Sequence, residues 1–159
     1  KELLKTSLKN GKFEKEISRS LKEKVIMQEN IKGFVVGIEK ALVKRCCELL
    51  GLEKRAGRLI TGFEKVSSAL KNKTLGFLIE ADDASLDGAD KLKNLAQYHK
   101  GQVSFTNVLS RNELSTALGK ENVVHVGILL RGISTRMKEE ALRLTSFRGK
   151  SVQELGSKI

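Results

Sequence analysis

Apolar positions along this chain recur at two spacings, three to four residues in some stretches and two in others, and the switching between them predicts alternating helices and strands. Over residues 1–30, Leu3, Leu4 and Leu8 mark one helical face, Asn10 and Gly11 interrupt it, and Phe13, Ile17 and Leu21 resume it. These pieces carry too little apolar surface to fold alone. A longer helix follows, striped by Phe34, Ile38, Leu42, Cys46, Leu49 and Leu50. It is expected to run through Gly51, at about 1 kcal/mol relative to Ala, and to stop at Gly57, a natural C-terminal cap. Lys54 and Arg55 in its last turn suit the negative end of the helix dipole.

Beyond this helix, short strand-like runs alternate with amphipathic helices, the mark of a layered α/β domain rather than a bundle. Residues 58–61 read as a first strand, and Gly62 then opens a helix bearing Phe63, Val66, Ala69 and Leu70. Leu75 to Glu80 is a second strand. Ser85 is placed to cap a helix reaching about His99, with Asp87 and Asp90 in its first turns. Val103 to Phe105 make a third strand. Ser110 followed by Glu113 has capping-box spacing, each side chain able to satisfy the other's backbone donor, for a helix ending near Gly119. Val123 to Leu130 is the fourth strand, with Val124, Val126 and Ile128 on one face and Val123, His125 and Gly127 on the other. Ile133, Met137, Ala141 and Leu144 stripe a final helix, and the pattern is lost after Gly149.

Charge adds a partner to this outline. Lys and Arg outnumber Asp and Glu by 30 to 19, a net +11, which is the electrostatic footprint of a protein that meets a polyanion. Residues 1–72 hold 17 basic and 9 acidic residues, a net +8, and residues 73–159 hold 13 and 10, a net +3. No run approaches the roughly 18 consecutive apolar residues of a membrane helix, and the first five residues lack the apolar core of a signal peptide. A cytoplasmic, membrane-free protein is expected.

The chemical inventory is thin. Cys46 and Cys47 are adjacent, too few for a disulfide framework or a four-ligand zinc site, and read as reduced helix residues with Cys46 buried. Asp82 and Asp83 follow a strand with no third ligand in view and read as a solvated loop; His99 and His125 stand alone, His125 as a half-buried packing residue. No glycine-rich phosphate loop or nucleophile elbow is present. Neither a catalytic residue, nor a metal site, nor a cofactor is predicted. Aromatics make up 4% of the chain, and Phe63, Phe77 and Phe105 fall at positions that read as core, which disfavours stacking on single-stranded bases. A folded RNA, held through its backbone by cations and helix N-termini, fits better.

Two segments carry a resemblance. The run Leu49 to Leu59 (LLGLEKRAGRL) followed by Gly62, and then Asn112 to Leu114 through Leu118 to Asn122 into Val123–Val126, resembles the L-seven-Ae ribosomal protein superfamily, in particular its YlxQ-like bacterial branch, over about residues 40–147. Residues 1–40 resemble the end of a YlxR-like domain, with the rest of such a domain expected upstream of Lys1. The resemblance implies a three-layer α/β/α sandwich around a mixed four-stranded sheet with an N-terminal helical extension: residues 1–38 as the extension, 39–148 as the RNA-binding domain and 149–159 as a frayed tail. It further implies non-catalytic binding of kink-turn or similarly structured RNA, ribosomal or other, in the service of the ribosome or translation factors.

In that family the RNA is gripped by the first turn of the helix after the first strand, matched here by Gly62, Phe63, Glu64, Lys65 and Ser68. Glu64 stands where the family carries Asn, and Ser68 where it carries Lys. A second contact, the loop before the last strand, matches Gly119, Lys120, Glu121, Asn122 and Val123. Arg58 and Lys65 are assigned to phosphates, and Glu64, Ser68 and Asn122 to base edges or sugar hydroxyls. Two other readings stay open: the substrate-binding part of an RNA-modifying enzyme, and a protein-interaction module on the same fold.

Overall fold

A computed structural model describes Thr6 and residues 11–21, 31–98, 103–132, 135–149 and 153–155. The elements run α1 (Lys12–Leu21), α2 (Ile31–Arg55), β1 (Leu59–Thr61), α3 (Phe63–Lys71), β2 (Leu75–Glu80), α4 (Leu86–Gln97), β3 (Val103–Thr106), α5 (Arg111–Leu118), β4 (His125–Leu129), a 3-10 turn (Leu130–Gly132), α6 (Thr135–Arg148) and β5 (Gln153–Leu155). Leu3, Leu4, Leu8, His99 and Ile133 lie outside the described residues.

The apolar run Leu75–Glu80 is buried at all six positions, as a strand covered on both faces must be. It sits at the centre of a sheet ordered β1-β4-β2-β3-β5. β2 and β3 run parallel, and the other pairings are antiparallel, so the sheet is mixed as the resemblance implied. The four expected strands all form. To them β5 adds an edge strand on β3, within the 149–159 tail expected to be frayed: pairing at a sheet edge uses backbone groups and needs no hydrophobic alternation.

One face of the sheet carries α3 and α4 over a core of Val66, Leu70, Leu75, Leu78, Leu92 and Phe105. The other carries α5, α6 and the part of α2 from Val43 onward, making the third layer. Side chains tie these three helices together. Cys47 Sγ lies 3.8 Å from the Glu113 carbonyl, Lys54 Nζ donates to the Leu118 carbonyl, and Arg148 Nη2 donates to Glu113 Oε1 at 2.8 Å. Glu140, buried, accepts Arg45 and Arg143, each at 3.0 Å. Cys46 is free and buried, and burial pushes its thiol up to about 12.

The alternation read for β4 holds. Gly127 faces α3 and α4 between Leu78 and Ile60, and a Cβ there would lie 2.4 Å from Leu75 Cδ1. A side chain at this position would require the Leu75 and Ile60 side chains to shift.

By its contacts the chain divides into two units, Lys1–Leu42 and Val43–Ile159. In the first, the Phe13 and Phe34 rings meet at 5.9 Å between centroids. Phe34 is nonetheless 37% exposed, whereas its neighbour Val35 is 1% exposed, so the buried stripe enters α2 one residue later than the spacing suggested. α2 does run through Gly51, and the turn after it ends at Gly57 with φ 69°.

Candidate nucleic-acid interface

Antiparallel pairing of β1 with β4 brings Thr61 beside Val126. The chain leaving β1 therefore meets the chain entering β4. Gly62 N–H donates to the His125 carbonyl at 2.9 Å, and Lys120 Nζ donates to Thr61 Oγ1 at 2.9 Å, 59 residues away in sequence. Between the start of α3 and the loop at 119–124 lies a groove of about 450 Å³, lined by Gly62, Phe63, Ser85, Arg111 and Lys120–His125. A second depression of about 700 Å³ adjoins it and shares Arg111, Lys120, Glu121 and Asn122.

Gly62 is the N-cap of α3, at φ 96° and ψ 150°, and no side chain caps the helix. That backbone region is essentially reserved for glycine. An uncapped helix start leaves N–H groups without intrahelical partners, turned outward with the positive end of the dipole. Val66 N–H already bonds the Gly62 carbonyl; the amides of Phe63, Glu64 and Lys65 precede it in the first turn. Glu64, Lys65 and Ser68 are exposed and share one helical side by their spacing. Ser68 Oγ accepts a long bond from Asn72 at 3.5 Å. Neither Glu64 nor Lys65 has a side-chain partner among the described residues.

Two of the lining residues, Phe63 and His125, form a T-shaped pair. Phe63 packs edge-on against the His125 ring, with centroids 5.8 Å apart. Behind it, Glu80 Oε1 approaches His125 Nδ1 at 3.5 Å, with the Glu80 side chain 2% exposed. His125 is thus a packing residue, as its strand position suggested, and Phe63 is half-buried rather than a core residue.

Of the residues that the resemblance matched to RNA contacts, all but Arg58 fall at this edge, Phe63 lining the groove and Gly119 the depression beside it. Gly62, Lys120, Glu121, Asn122 and Val123 line the groove, and Glu64, Lys65 and Ser68 occupy the exposed side of the adjoining helix. Arg58 does not join them. It sits at the other end of β1, bound to Glu53 by Nε at 2.9 Å and Nη2 at 3.3 Å. Sequence reasoning missed Arg111. Its guanidinium donates to Asn122 Oδ1 at 3.0 Å and to the Asp83 carbonyl at 3.3 Å, and its Nε lies 3.3 Å from Asp83 Oδ2. Asp83, read as a solvated loop residue, is therefore one end of a bridge. Asn122 has φ 51°, a left-handed conformation that Asn tolerates better than most residues.

Residues 44–137 match the Ribosomal protein L7Ae/L30e/S12e/Gadd45 family. The chain belongs to this family. It is 31% identical over 96 residues to a protein named RNA-binding protein YlxQ from Enterococcus faecium, covering 60% of this chain and 90% of that protein. With the protein of the same name from Bacillus subtilis (strain 168) it shares 30% over 89 residues, covering 56% and 87%. A solved structure of a Bacillus halodurans protein of unknown function superposes with a TM-score of 0.50 at 25% identity, over 67% of this chain and 98% of that one. The matched span of the family contains the whole groove and the Arg111 bridge. Among the described residues no helix is long and apolar enough to cross a membrane, and no group of three or more His, Cys, Asp or Glu could hold a metal ion.

Proposed function

We propose that this family member is a non-catalytic RNA-binding protein that recognises structured RNA of the kink-turn kind, as an accessory to the ribosome or the translation machinery. The observation that carries this reading is the meeting of an uncapped helix start with a loop nearly sixty residues away. The α3 amides and Lys65 offer donors and positive charge to phosphate, as helix N-termini do for anions. Across the groove Lys120 keeps two of its three N–H donors after binding Thr61. Glu64 and Glu121, both exposed, repel phosphate but accept from 2′-hydroxyls and exocyclic amines. A plain rod of phosphate would meet these carboxylates as often as the cations, whereas a bent duplex can present backbone to one and base edges to the other. The names of the two YlxQ relatives agree with RNA as the partner.

The test is titration of an RNA duplex kinked by an internal bulge, and of an uninterrupted duplex of equal length, at several salt concentrations. Lys65→Ala is expected to weaken both about equally and to lower the salt slope by about one. Tighter binding of the kinked duplex by the wild-type protein supports the reading. Equal affinity for the two, with Lys65→Ala silent, overturns it.

A further inference from the structure

A carboxamide can read either of two opposite partners, because Oδ1 accepts and Nδ2 donates. Which end faces outward decides what is recognised. At Asn122 the choice is made by Arg111, whose guanidinium has donors only, so the carboxamide atom 3.0 Å from Nη1 must be Oδ1. The rest of the guanidinium is held on the β2–α4 loop, by the Asp83 carbonyl at 3.3 Å and the Asp83 carboxylate at 3.3 Å. Arg111 thereby ties two loops together and fills the acceptor end of Asn122. The Nδ2 end has no partner among the described residues, and Asn122 lines both the groove and the depression beside it.

We propose that Arg111 is a positioning residue: it turns the Asn122 carboxamide so that the loop offers RNA a hydrogen-bond donor, and the interface selects an acceptor atom at the bend. This rests on the RNA-binding reading above and states the sense of recognition within it. Asp83 balances the charge of Arg111 locally, so the arginine acts through geometry rather than as a phosphate cation.

Asn122→Asp separates the two ends of the amide. Aspartate tolerates the left-handed φ of 51° and keeps an acceptor for Arg111, but it replaces the outward donor with an acceptor. Binding of the kinked and plain duplexes would be measured for Asn122→Asp, Asn122→Gly, Arg111→Ala, Arg111→Lys and Lys65→Ala, with thermal unfolding of each. The expected result is a roughly tenfold loss of preference for the kinked duplex in Asn122→Asp, Asn122→Gly and Arg111→Ala alike. Affinity of Asn122→Gly and Arg111→Ala for the plain duplex should hold, and that of Asn122→Asp should fall only by the salt-dependent repulsion of its added carboxylate. The double variant Arg111→Ala/Asn122→Gly should lose no more than either single one, and Arg111→Lys should recover part of the preference.

If Arg111→Ala instead weakens both duplexes equally and lowers the salt slope, it is a phosphate contact and the proposal fails. Preference retained in Asn122→Asp also overturns it, because the donor is then not read. Lys65→Ala keeps the two failures apart. If it weakens binding while the Arg111 variants are silent, only the positioning role is lost; if Lys65, Arg111 and Asn122 variants are all silent, the interface itself is misplaced.

Discussion

Two helices of this domain begin in opposite ways. α5 is sealed: Ser110 Oγ accepts the Glu113 N–H at 3.2 Å, and Glu113 Oε2 accepts the Ser110 N–H at 2.8 Å. Arg148 then clasps the Glu113 carboxylate from the last turn of α6. α3 is left open at Gly62, with no side-chain cap. The same orphan backbone donors are therefore consumed inside the fold at one helix and offered to the outside at the other. A closed helix start works as a structural joint, and an open one beside unpaired lysine works as an anion site. Cations divide in the same way: Arg58, Arg45, Arg143 and Arg148 answer carboxylates of their own chain, so the basic excess overstates the charge available to a ligand.

Opening the closed joint should have the largest effect on stability. Glu113→Ala removes half of the capping box, worth about 1 kcal/mol, and leaves Arg148 without its carboxylate in a largely buried position; together a loss of about 2–4 kcal/mol is expected. The urea midpoint should fall with an unchanged slope, while RNA affinity per folded molecule stays the same. Gly62→Ala acts on the open start. A side chain at φ 96° costs on the order of 1–3 kcal/mol, and because the strain turns the α3 amides, RNA affinity should drop along with the melting temperature.

A smaller effect is visible in acid. Burial pushes the Glu113 carboxyl up, but the Arg148 hydrogen bond, the Ser110 backbone N–H and the Arg148 charge outweigh it, and the net pKa lies below the usual 4.5. The folded state thus holds fewer protons than the unfolded chain in mild acid. Stability from this carboxylate is present above its ordinary pKa and is lost as pH falls through the lowered one. Between pH 5 and strongly acidic solution, Glu113→Gln should show a shallower decline in unfolding free energy than the wild type; parallel curves would mean that the Arg148 pairing does not govern the closed start.

Lys65→Ala should have the smallest effect on stability, within about 0.5 kcal/mol as for an exposed charge, while lowering RNA affinity. The comparison between the two helix starts is broken if this variant destabilises the fold and spares binding.

Most of the local structure was legible in the chain. β2 was read residue for residue, the capping box at Ser110 and Glu113 formed as its spacing required, and Gly62 opened α3, because each depends on neighbours within a few positions. Arg58 shows where such reading stops. Glu53 lies five residues before it across a helix end, a spacing outside the helical pairs of three and four, so its neutralisation was not anticipated. Arg111 was missed because its partners lie 28 and 11 residues away, and as the first residue of α5 it looked like an ordinary helix start.

Sequence alone determined four of the five strands, the helices between them, which faces are apolar, the box that caps α5 and that the chain carries excess positive charge. Those properties arise from side chains a few residues apart and from composition. It did not anticipate β5, and Ser85, expected to cap α4, makes no side-chain cap bond there. Only the tertiary structure decided that β4 lies between β1 and β2, and with it that Lys120 reaches Thr61 and that Arg111 turns Asn122. These contacts join segments distant in sequence, and the strand order that brings them together is set by packing the whole sheet between its two helical layers, not by any short run of residues.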